Sequence, residues 1–273
     1  MGAYRLIDEP TDVELTARAL VDGAVVATAF GNFYVIVANP AAATVRRINL
    51  AKGRPVDQVG SITTAAARIP AMFDWSQLSG LLDEHRVRTL MDTLYAQGPF
   101  GFRGPAAAHI PNHLTQLDQG VRTTQVIAPG AACPSNVFFD VSARSMGDAP
   151  LYITSANRSR HLTGAAEEPA HWQADGIAAD FAHVAELVVI AHRNEARARA
   201  TYPSYLPTSV TLLSFHAPQL GPTGRPVLTI DRHGSLSIGD VRRVADPFGF
   251  DVVLGPTAQR RLQVRAYDEV TVA

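Results

Sequence analysis

Residues 151–159 read Leu-Tyr-Ile-Thr-Ser-Ala-Asn-Arg-Ser, an apolar run that passes directly into small polar side chains. The run at 150–154 predicts a buried strand, and Ser155 and Asn157 follow at its carboxyl end. Ligands of open α/β sheets bind beyond the carboxyl ends of strands, where hydroxyl and amide groups hydrogen-bond phosphate, ribose or water. The same residue types are ordinary turn formers. The stretch therefore predicts a strand that ends at a turn, and a ligand site there is the functional interpretation.

A second stretch, residues 50–55, reads Leu-Ala-Lys-Gly-Arg-Pro and contains Lys52, the only lysine among 24 basic residues. A GC-rich genome would produce such an arginine bias through its coding habits, and the bias makes the one lysine informative. A compact ammonium suits a phosphate or carboxylate contact, whereas chance survival on a solvated surface is the alternative. Lys52 and Arg54 are two residues apart, and a turn at Gly53 can bring both to one anion.

The rest of the chain alternates helical and β patterns. Apolar spacing predicts helices over 11–23, with Thr11 as N-cap, and over 40–51, 76–95, 136–146, 172–184 and 238–245. β-rich runs predict strands at 24–28, 34–38, 121–127, 150–154, 187–191, 208–214 and 227–231. Residues 98–134 are otherwise irregular because they are rich in Gly and Pro. We therefore expect an α/β fold around one open sheet, as one domain over 1–255 with a C-terminal tail over 256–273.

Composition places the chain among globular proteins, with 47% hydrophobic and 18% charged residues. The formal net charge of −1 gives no long-range attraction to nucleic acid. It does not exclude a local basic groove. A single cysteine, Cys133, excludes a disulfide within the chain. No apolar run reaches the length of about 18–20 residues needed to span a bilayer, and no secretory signal pattern opens the sequence. We expect a cytoplasmic protein without a membrane partner.

Common site motifs are missing from the sequence. His109 and His113 are four apart, but Pro111 between them opposes a helix that would align both rings on zinc, so we expect no protein-bound metal. The chain has no Gly-x-Ser-x-Gly, Walker-type or Gly-x-Gly-x-x-Gly pattern. The arginine-rich run at 193–199 predicts a solvated helix face or loop, with a polyanion contact as the alternative.

Taken together, the two opening stretches resemble the YrdC family, the threonylcarbamoyl-adenylate synthases. The family has a Lys-x-Arg-Pro segment after a helix, and a Thr-Ser-Ala-Asn segment about a hundred residues later. Three further segments are similar in order and approximate spacing, and they are 98–100, 207–210 and 232–234. The resemblance covers residues 10 to 250. It implies a twisted, mixed α/β sheet with flanking helices around a large basic cavity.

The resemblance also implies an activity. The family joins L-threonine, bicarbonate and ATP into threonylcarbamoyl-AMP, a nucleotidyl transfer that supplies transfer-RNA modification, and magnesium is expected with the ATP. Lys52 and Arg54 would then be the catalytic residues that hold triphosphate and carboxylate oxygens. The implied nucleotide-binding residues are Ser155, Asn157, Thr208, Ser209 and Arg232.

The chain departs from the family on its first hairpin. The family pattern Pro-Thr-Asp/Glu-Thr-x-Tyr-Gly-Leu stands opposite residues 29–36, which read Ala-Phe-Gly-Asn-Phe-Tyr-Val-Ile. Tyr34 keeps its place, but Phe30 and Asn32 replace the two threonines of the implied amino-acid pocket. Tyr34 and Asn32 remain the implied substrate-binding residues, and we expect threonine to be a poor ligand.

Two other functions stay open. One is carbamoyl-adenylate transfer to another acceptor, with another small amino acid or a carbamoyl donor as substrate. The other is a non-catalytic module that binds nucleotide or double-stranded RNA, since the resemblance also implies RNA binding. Pyrophosphate release from ATP separates the enzyme from the binding module.

Overall fold

The structure, a computed structural model, describes residues 4–147, 149–159, 168–184 and 186–267. The strands are β1 (Arg5–Leu6), β2 (Val25–Phe30), β3 (Phe33–Ala38), β4 (Ser61–Thr63), β5 (Phe100–Pro105), β6 (Gln116–Asp118), β7 (Val121–Ala128), β8 (Leu151–Ser155), β9 (Leu187–Ala191), β10 (Leu212–Leu220), β11 (Pro226–Arg232) and β12 (Asp251–Leu254). The α-helices are α1 (Pro10–Val21), α2 (Ala42–Ala51), α3 (Glu84–Gln97), α4 (Ser135–Ser145), α5 (Ala174–Asp180), α6 (Glu195–Ala200) and α7 (Ile238–Ala245).

All of these strands belong to one 12-stranded mixed sheet. Its order is β1-β9-β2-β3-β8-β4-β7-β5-β10-β11-β12, and β6 pairs with β7 outside that path. The pairs β1–β9, β9–β2, β4–β7, β5–β10 and β11–β12 are parallel. The other pairs are antiparallel, including the β2–β3 hairpin and its neighbour β8. The expected α/β fold around one mixed sheet is therefore confirmed.

Both faces of the sheet are covered, because side chains of β2 and β3 alternate between two hydrophobic clusters. Tyr34 and Ile36 point to one face, where the apolar sides of α2, α3 and α7 pack. Phe33 and Val35 point to the other face, where α1 and α4 pack. Both strands are buried along their whole length. Burial on both faces explains why they read as continuous apolar runs rather than as a strict alternation.

The helix expected over 76–95 is wrong in its first part. A short 3₁₀ turn occupies Trp75–Gln77, and α3 begins only at Glu84. The Asp83 side chain accepts a hydrogen bond of 2.8 Å from the backbone N–H of Arg86 and so caps the helix there. Leu78, Leu81 and Leu82 have helical spacing, but Leu78 adopts an extended conformation after the 3₁₀ turn, and Leu81 is exposed rather than packed on the core.

Three further predictions need correction. The first helix begins at Pro10 rather than after Thr11, because proline favours the first helical position. The helix expected over 172–184 is confined to Ala174–Asp180, and the strand expected over 208–214 lies at Leu212–Leu220. The bounds of β9 and α7 agree with those expected from the sequence.

Residues 98–134 are also more regular than the sequence predicts, because they contain β5 and β6 as well as β7. Gly101 and Gly104 made β5 look like a loop. A Cβ at Gly101 would lie 2.7 Å from Ile127 Cγ2, and one at Gly104 would lie 2.1 Å from Phe215 Cζ. These glycines therefore allow neighbouring side chains to approach the strand closely.

Replacing Gly104 by alanine should destabilise the fold, because the added methyl group must displace the buried ring of Phe215. Overpacking of this kind costs about 1–3 kcal/mol of unfolding free energy. Urea denaturation measures it, and Gly80→Ala is the matched control because a Cβ at Gly80 meets nothing within 4 Å. Equal losses of stability in the two variants would contradict the account of β5.

Candidate functional site

A cleft of about 410 Å³ lies beside the ends of β3 and β8. The described residues of its lining combine an apolar wall, two arginines and uncharged polar side chains. The lining residues are Phe33, Val35, Arg54, Gln58, Val59, Gly60, Ser61, Gln116, Gln125, Ile127, Ile153, Thr154, Ser155, Ser209, Val210, Arg232 and Leu262. Four of the residues singled out by the sequence, Arg54, Ser155, Ser209 and Arg232, therefore meet in one cleft.

Arg54 reaches the cleft from the turn that ends α2. Gly53 adopts a φ of +70°, which reverses the chain, and the Arg54 N–H donates to the Asn49 carbonyl at 3.1 Å. The Arg54 guanidinium donates to Asn49 Oδ1 at 2.7 Å, to Thr154 Oγ1 at 3.2 Å and to the Tyr152 hydroxyl. The residue is only 5% exposed. Three hydrogen bonds thus fix the planar cation at the cleft wall, and two of its five N–H groups are left to face a ligand.

Tyr152 stays protonated beside this arginine. Burial raises the pKa of the Tyr152 phenol, while the charge of Arg54 acts in the opposite direction. The neutral hydroxyl accepts from Arg54 and donates to Asn49 Oδ1 at 3.2 Å. Asn49, Arg54 and Tyr152 form a closed polar network, which fixes the end of α2 against β8.

Lys52 lies behind the cleft rather than in its lining. Its side chain is buried, at 1% exposed, and the ammonium donates to the Ser155 carbonyl and, at 3.2 Å, to Asn157 Oδ1. The Lys52 carbonyl accepts from the Ser159 N–H at 2.7 Å. The structure therefore brings Lys52 to Asn157, as the sequence predicts, but the ammonium ties together the turn after β8. A direct contact with phosphate stays a prediction.

The turn after β8 is also held from within. The Ser155 hydroxyl donates to Asn157 Oδ1, and the Asn157 amide donates to the carbonyls of Arg158 and Glu168 at 3.1 and 2.8 Å. Asn157 is buried and does not line the cleft, whereas Ser155 does. Asn157 thus shapes the turn that presents Ser155.

The opposite side of the cleft is built by two segments that approach each other closely. Arg232 Nε donates to the Val210 carbonyl at 2.9 Å, and the Ser235 N–H donates to the Ser209 carbonyl at 2.9 Å. A Cβ at Gly234 would lie 2.1 Å from the Ser209 carbonyl oxygen, so only glycine fits there. Thr208 is buried outside the cleft lining, and its hydroxyl has no hydrogen-bond partner in the described part of the chain.

The hairpin residues Tyr34 and Asn32 do not line the cleft. The Tyr34 hydroxyl, on the other face of the sheet, donates to Glu195 Oε1 at 2.7 Å, and the Asn32 amide donates to the Tyr205 carbonyl at 2.8 Å. Phe30 is fully buried in the core, with its ring centroid 5.8 Å from that of Phe139. Phe33 and Val35 are the hairpin side chains that line the cleft, and sequence matching passed over both.

Sequence reasoning also missed the amide-bearing part of the lining. Gln58 follows the Lys-x-Arg-Pro segment, Gln116 lies in the stretch that looked irregular, and Gln125 lies in the strand predicted over 121–127. Gln125 Oε1 accepts from the Ser61 hydroxyl at 3.1 Å, between the paired strands β7 and β4. No local signal marks Gln116 and Gln125, because pairing of β6 and β4 with β7 brings them to the cleft.

Residues 255–267, which follow β12, pack against the rest of the fold. Leu262 lines the cleft, and its N–H donates to the His233 carbonyl at 2.8 Å. Further along, Arg265 pairs with Glu168 at 2.9 Å, and the Tyr267 hydroxyl lies 2.8 Å from His171 Nδ1. The stretch expected to be a tail therefore contributes one wall residue of the cleft.

Across the described ranges, no cluster of three or more His, Cys, Asp and Glu side chains is arranged to hold a metal ion. In the same ranges, no helix has the length and apolar character needed to cross a bilayer.

Replacing Lys52 by methionine should lower the stability of the protein. The methionine side chain is similar in length to that of lysine, but it leaves the Ser155 carbonyl and Asn157 Oδ1 without the ammonium. This loss should cost about 1–3 kcal/mol of unfolding free energy. Urea denaturation checks this, and Arg88→Met on the exposed face of α3 is the control, with its side chain 48% exposed. Unchanged stability in the Lys52 variant would show that the ammonium does not hold the turn.

No protein-family model matches the sequence, and no curated protein matches it. Solved structures do match. P. abyssi Sua5 complexed with L-threonine has a TM-score of 0.62 at 20% identity over 90% of this chain. A hypothetical protein, smu.1377c from Streptococcus mutans UA159, has a TM-score of 0.60 at 14% identity, covering 88% of this chain and 93% of that one. Full-length HypF in the phosphate- and nucleotide-bound form has a TM-score of 0.52 at 15% identity, covering 81% of this chain and 28% of that one.

This chain spans only part of the larger relatives. It covers 60% of the Sua5 chain that is complexed with L-threonine and 63% of another Sua5 chain, which has a TM-score of 0.64 at 20% identity over 91% of this chain. At sequence identities this low, the similarity to the solved structures is a similarity of backbone fold. The chain has the YrdC-like fold that these Sua5 structures share.

Proposed function

We propose that the chain is a divergent YrdC-like enzyme that binds ATP in the cleft and forms a carbamoyl-type adenylate, with release of pyrophosphate. The observation that carries the proposal is that Arg54, Ser155, Ser209 and Arg232 line one cleft, although they come from four separate segments of the chain. Those segments are the ones that resemble the nucleotide-binding segments of the family.

The charge of the lining supports an anionic ligand. Two guanidinium groups, of Arg54 and Arg232, face a space whose other polar groups are hydroxyls and amides. Among the described residues that line the cleft, none carries a carboxylate, so this lining has a net positive charge. Fixed donors of this kind align several anions and stabilise charge that develops on a leaving pyrophosphate.

The proposed reaction begins with a carbamate, made from an amino group and bicarbonate with loss of water. A carbamate oxygen attacks the α-phosphorus of ATP, the bond from that phosphorus to the bridging oxygen breaks, and pyrophosphate leaves. Arg54 and Arg232 would bind the phosphate oxygens. Lys52 would act through Ser155 and Asn157 as a positioning residue. Magnesium would be held largely by phosphates and water, since the described residues of the lining supply no carboxylate.

The amino-acid specificity is proposed to differ from that of a threonine enzyme. The hairpin presents the apolar side chains of Phe33 and Val35 to the cleft, while Asn32 is engaged with the Tyr205 carbonyl. A site that hydrogen-bonds a substrate hydroxyl discriminates strongly, and an apolar wall loses that discrimination. Another small amino acid or a carbamoyl donor is therefore the proposed co-substrate. If L-threonine were the co-substrate instead, the product would supply transfer-RNA modification.

Replacing Arg232 by glutamine should weaken ATP binding about 10- to 100-fold, the range expected for loss of a charge-assisted hydrogen bond of about 1.5–3 kcal/mol. Isothermal titration calorimetry with ATP and magnesium measures the affinity. Arg243→Gln is the matched control, because that side chain is 75% exposed on α7 and lies outside the cleft. Equal ATP affinity in both variants would remove Arg232 from the nucleotide site.

L-Threonine should be a poor substrate that binds scarcely better than serine or valine, because apolar side chains line the hairpin side of the cleft. Pyrophosphate release from ATP and bicarbonate, screened across amino acids and carbamoyl phosphate, tests this. Efficient threonylcarbamoyl-AMP formation would contradict the altered specificity and leave the adenylation proposal intact. Absence of pyrophosphate release with every co-substrate, despite ATP binding, would favour the nucleotide- or RNA-binding module.

A further inference from the structure

A second cleft, of about 340 Å³, lies at the carboxyl ends of three parallel strands. Residues 7–8 follow β1, Gly31 follows β2, and residues 192–194 follow β9, and all of them line this cleft. The crevice outside the carboxyl ends of strands is the usual ligand position in open α/β sheets. The two clefts have no lining residue in common. The second cleft is therefore a separate candidate site.

The charges at this cleft are unevenly matched. Arg193 Nε lies 3.1 Å from Asp8 Oδ2, and its guanidinium also pairs with Glu9. Arg197 lines the same cleft one turn along α6, and its guanidinium makes no ion pair or hydrogen bond within the described ranges. The Asn194 side-chain oxygen caps α6 by accepting from the Arg197 N–H at 2.9 Å. The NH₂ group of the same side chain is still available to donate a hydrogen bond to another group. Of the two arginines that line this cleft, Arg197 is thus the one whose guanidinium contacts no acidic side chain among the described residues.

The histidine at the cleft does not add a charge. His192 Nε2 lies 3.2 Å from the Gly31 carbonyl, a contact in which the nitrogen donates. Burial lowers the pKa of the His192 imidazole, so the ring is neutral at pH 7. Its Nδ1 is then an acceptor, and the guanidinium of Arg197 remains the group that would bind an anion.

The remaining wall is mostly apolar. Ile7, Pro134, Ala198 and Tyr202 line it. Tyr202 is only 5% exposed, and its hydroxyl lies beside the thiol of Cys133, which does not line the cleft. The aromatic ring is therefore the part of Tyr202 offered to a ligand, and the wall suits an apolar group.

We infer that the second cleft binds a small organic anion, one that joins a single carboxylate or phosphate group to an apolar ring or chain. The anionic group would bind the Arg197 guanidinium, whose planar fork fits both kinds of oxyanion. The apolar part would lie against Pro134 and Tyr202. The volume of about 340 Å³ is at the small end of the range for ligand sites. This inference does not depend on the proposed adenylate chemistry.

The test uses calorimetric titration of the full chain with 3-phenylpropanoate and with phenyl phosphate. Saturable binding is expected for at least one of them, and the stronger of the two identifies the anionic group. The neutral amide of 3-phenylpropanoate should bind at least tenfold more weakly. Arg197→Gln should weaken binding about 5- to 10-fold, the loss expected for an exposed charge-assisted contact. Arg144→Gln, an exposed arginine on α4, is the matched control and should bind like the unmodified chain.

Two further variants locate the ligand. Ala198→Phe fills the second cleft from α6 and should abolish binding, whereas Arg232→Gln alters the first cleft and should leave binding unchanged. Loss of binding in Arg232→Gln but not in Ala198→Phe would place the ligand in the first cleft and overturn the inference. Absence of saturation by either anion up to millimolar concentration, or equal affinity for the amide, would overturn it as well.

Discussion

The arrangement of the first cleft depends on how one buried ammonium is satisfied. Lys52 is withdrawn from water almost completely, and a buried charge is tolerated only where hydrogen bonds replace its hydration. The Ser155 carbonyl and Asn157 Oδ1 supply two of them. Because these acceptors lie just beyond β8, the ammonium fastens the end of α2 to the end of that strand.

This attachment brings two unrelated parts of the chain to one wall. Arg54 follows Lys52 by two residues, so it reaches the cleft once the end of α2 is fixed, and Asn49 and Tyr152 then orient its guanidinium. The opposite wall is set by close backbone approach, since Gly234 lets the Arg232 segment lie against Ser209. The buried ammonium of Lys52 thus positions Arg54 on one side of the cleft, and the absence of a side chain at Gly234 positions Arg232 on the other.

The sequence located most of the elements, and four of the nine site residues named from motifs line the cleft. Strand β9 and helix α7 have a clear local pattern with clear ends, so their bounds agree with expectation. Strand β5 was missed because Gly101 and Gly104 look like loop residues. They are glycines because the side chains of Ile127 and Phe215, from other strands, lie too close to leave room for a Cβ. Likewise, motif matching pointed to Phe30, whereas Phe33 lines the cleft and Phe30 packs in the core.

By itself, the sequence determined the α/β alternation, the turn at Gly53, and the short polar segments that follow β8 and precede β10, because these depend on neighbours along the chain. The tertiary structure alone decided which side chains face the cleft. Strand pairing places Gln125 in contact with Ser61. Because both faces of the sheet are packed, the Tyr34 hydroxyl meets Glu195 on one face and Phe33 lines the cleft on the other. Successive side chains on a strand point to opposite faces, so contacts between distant segments, rather than residue type, decided which of them became site residues.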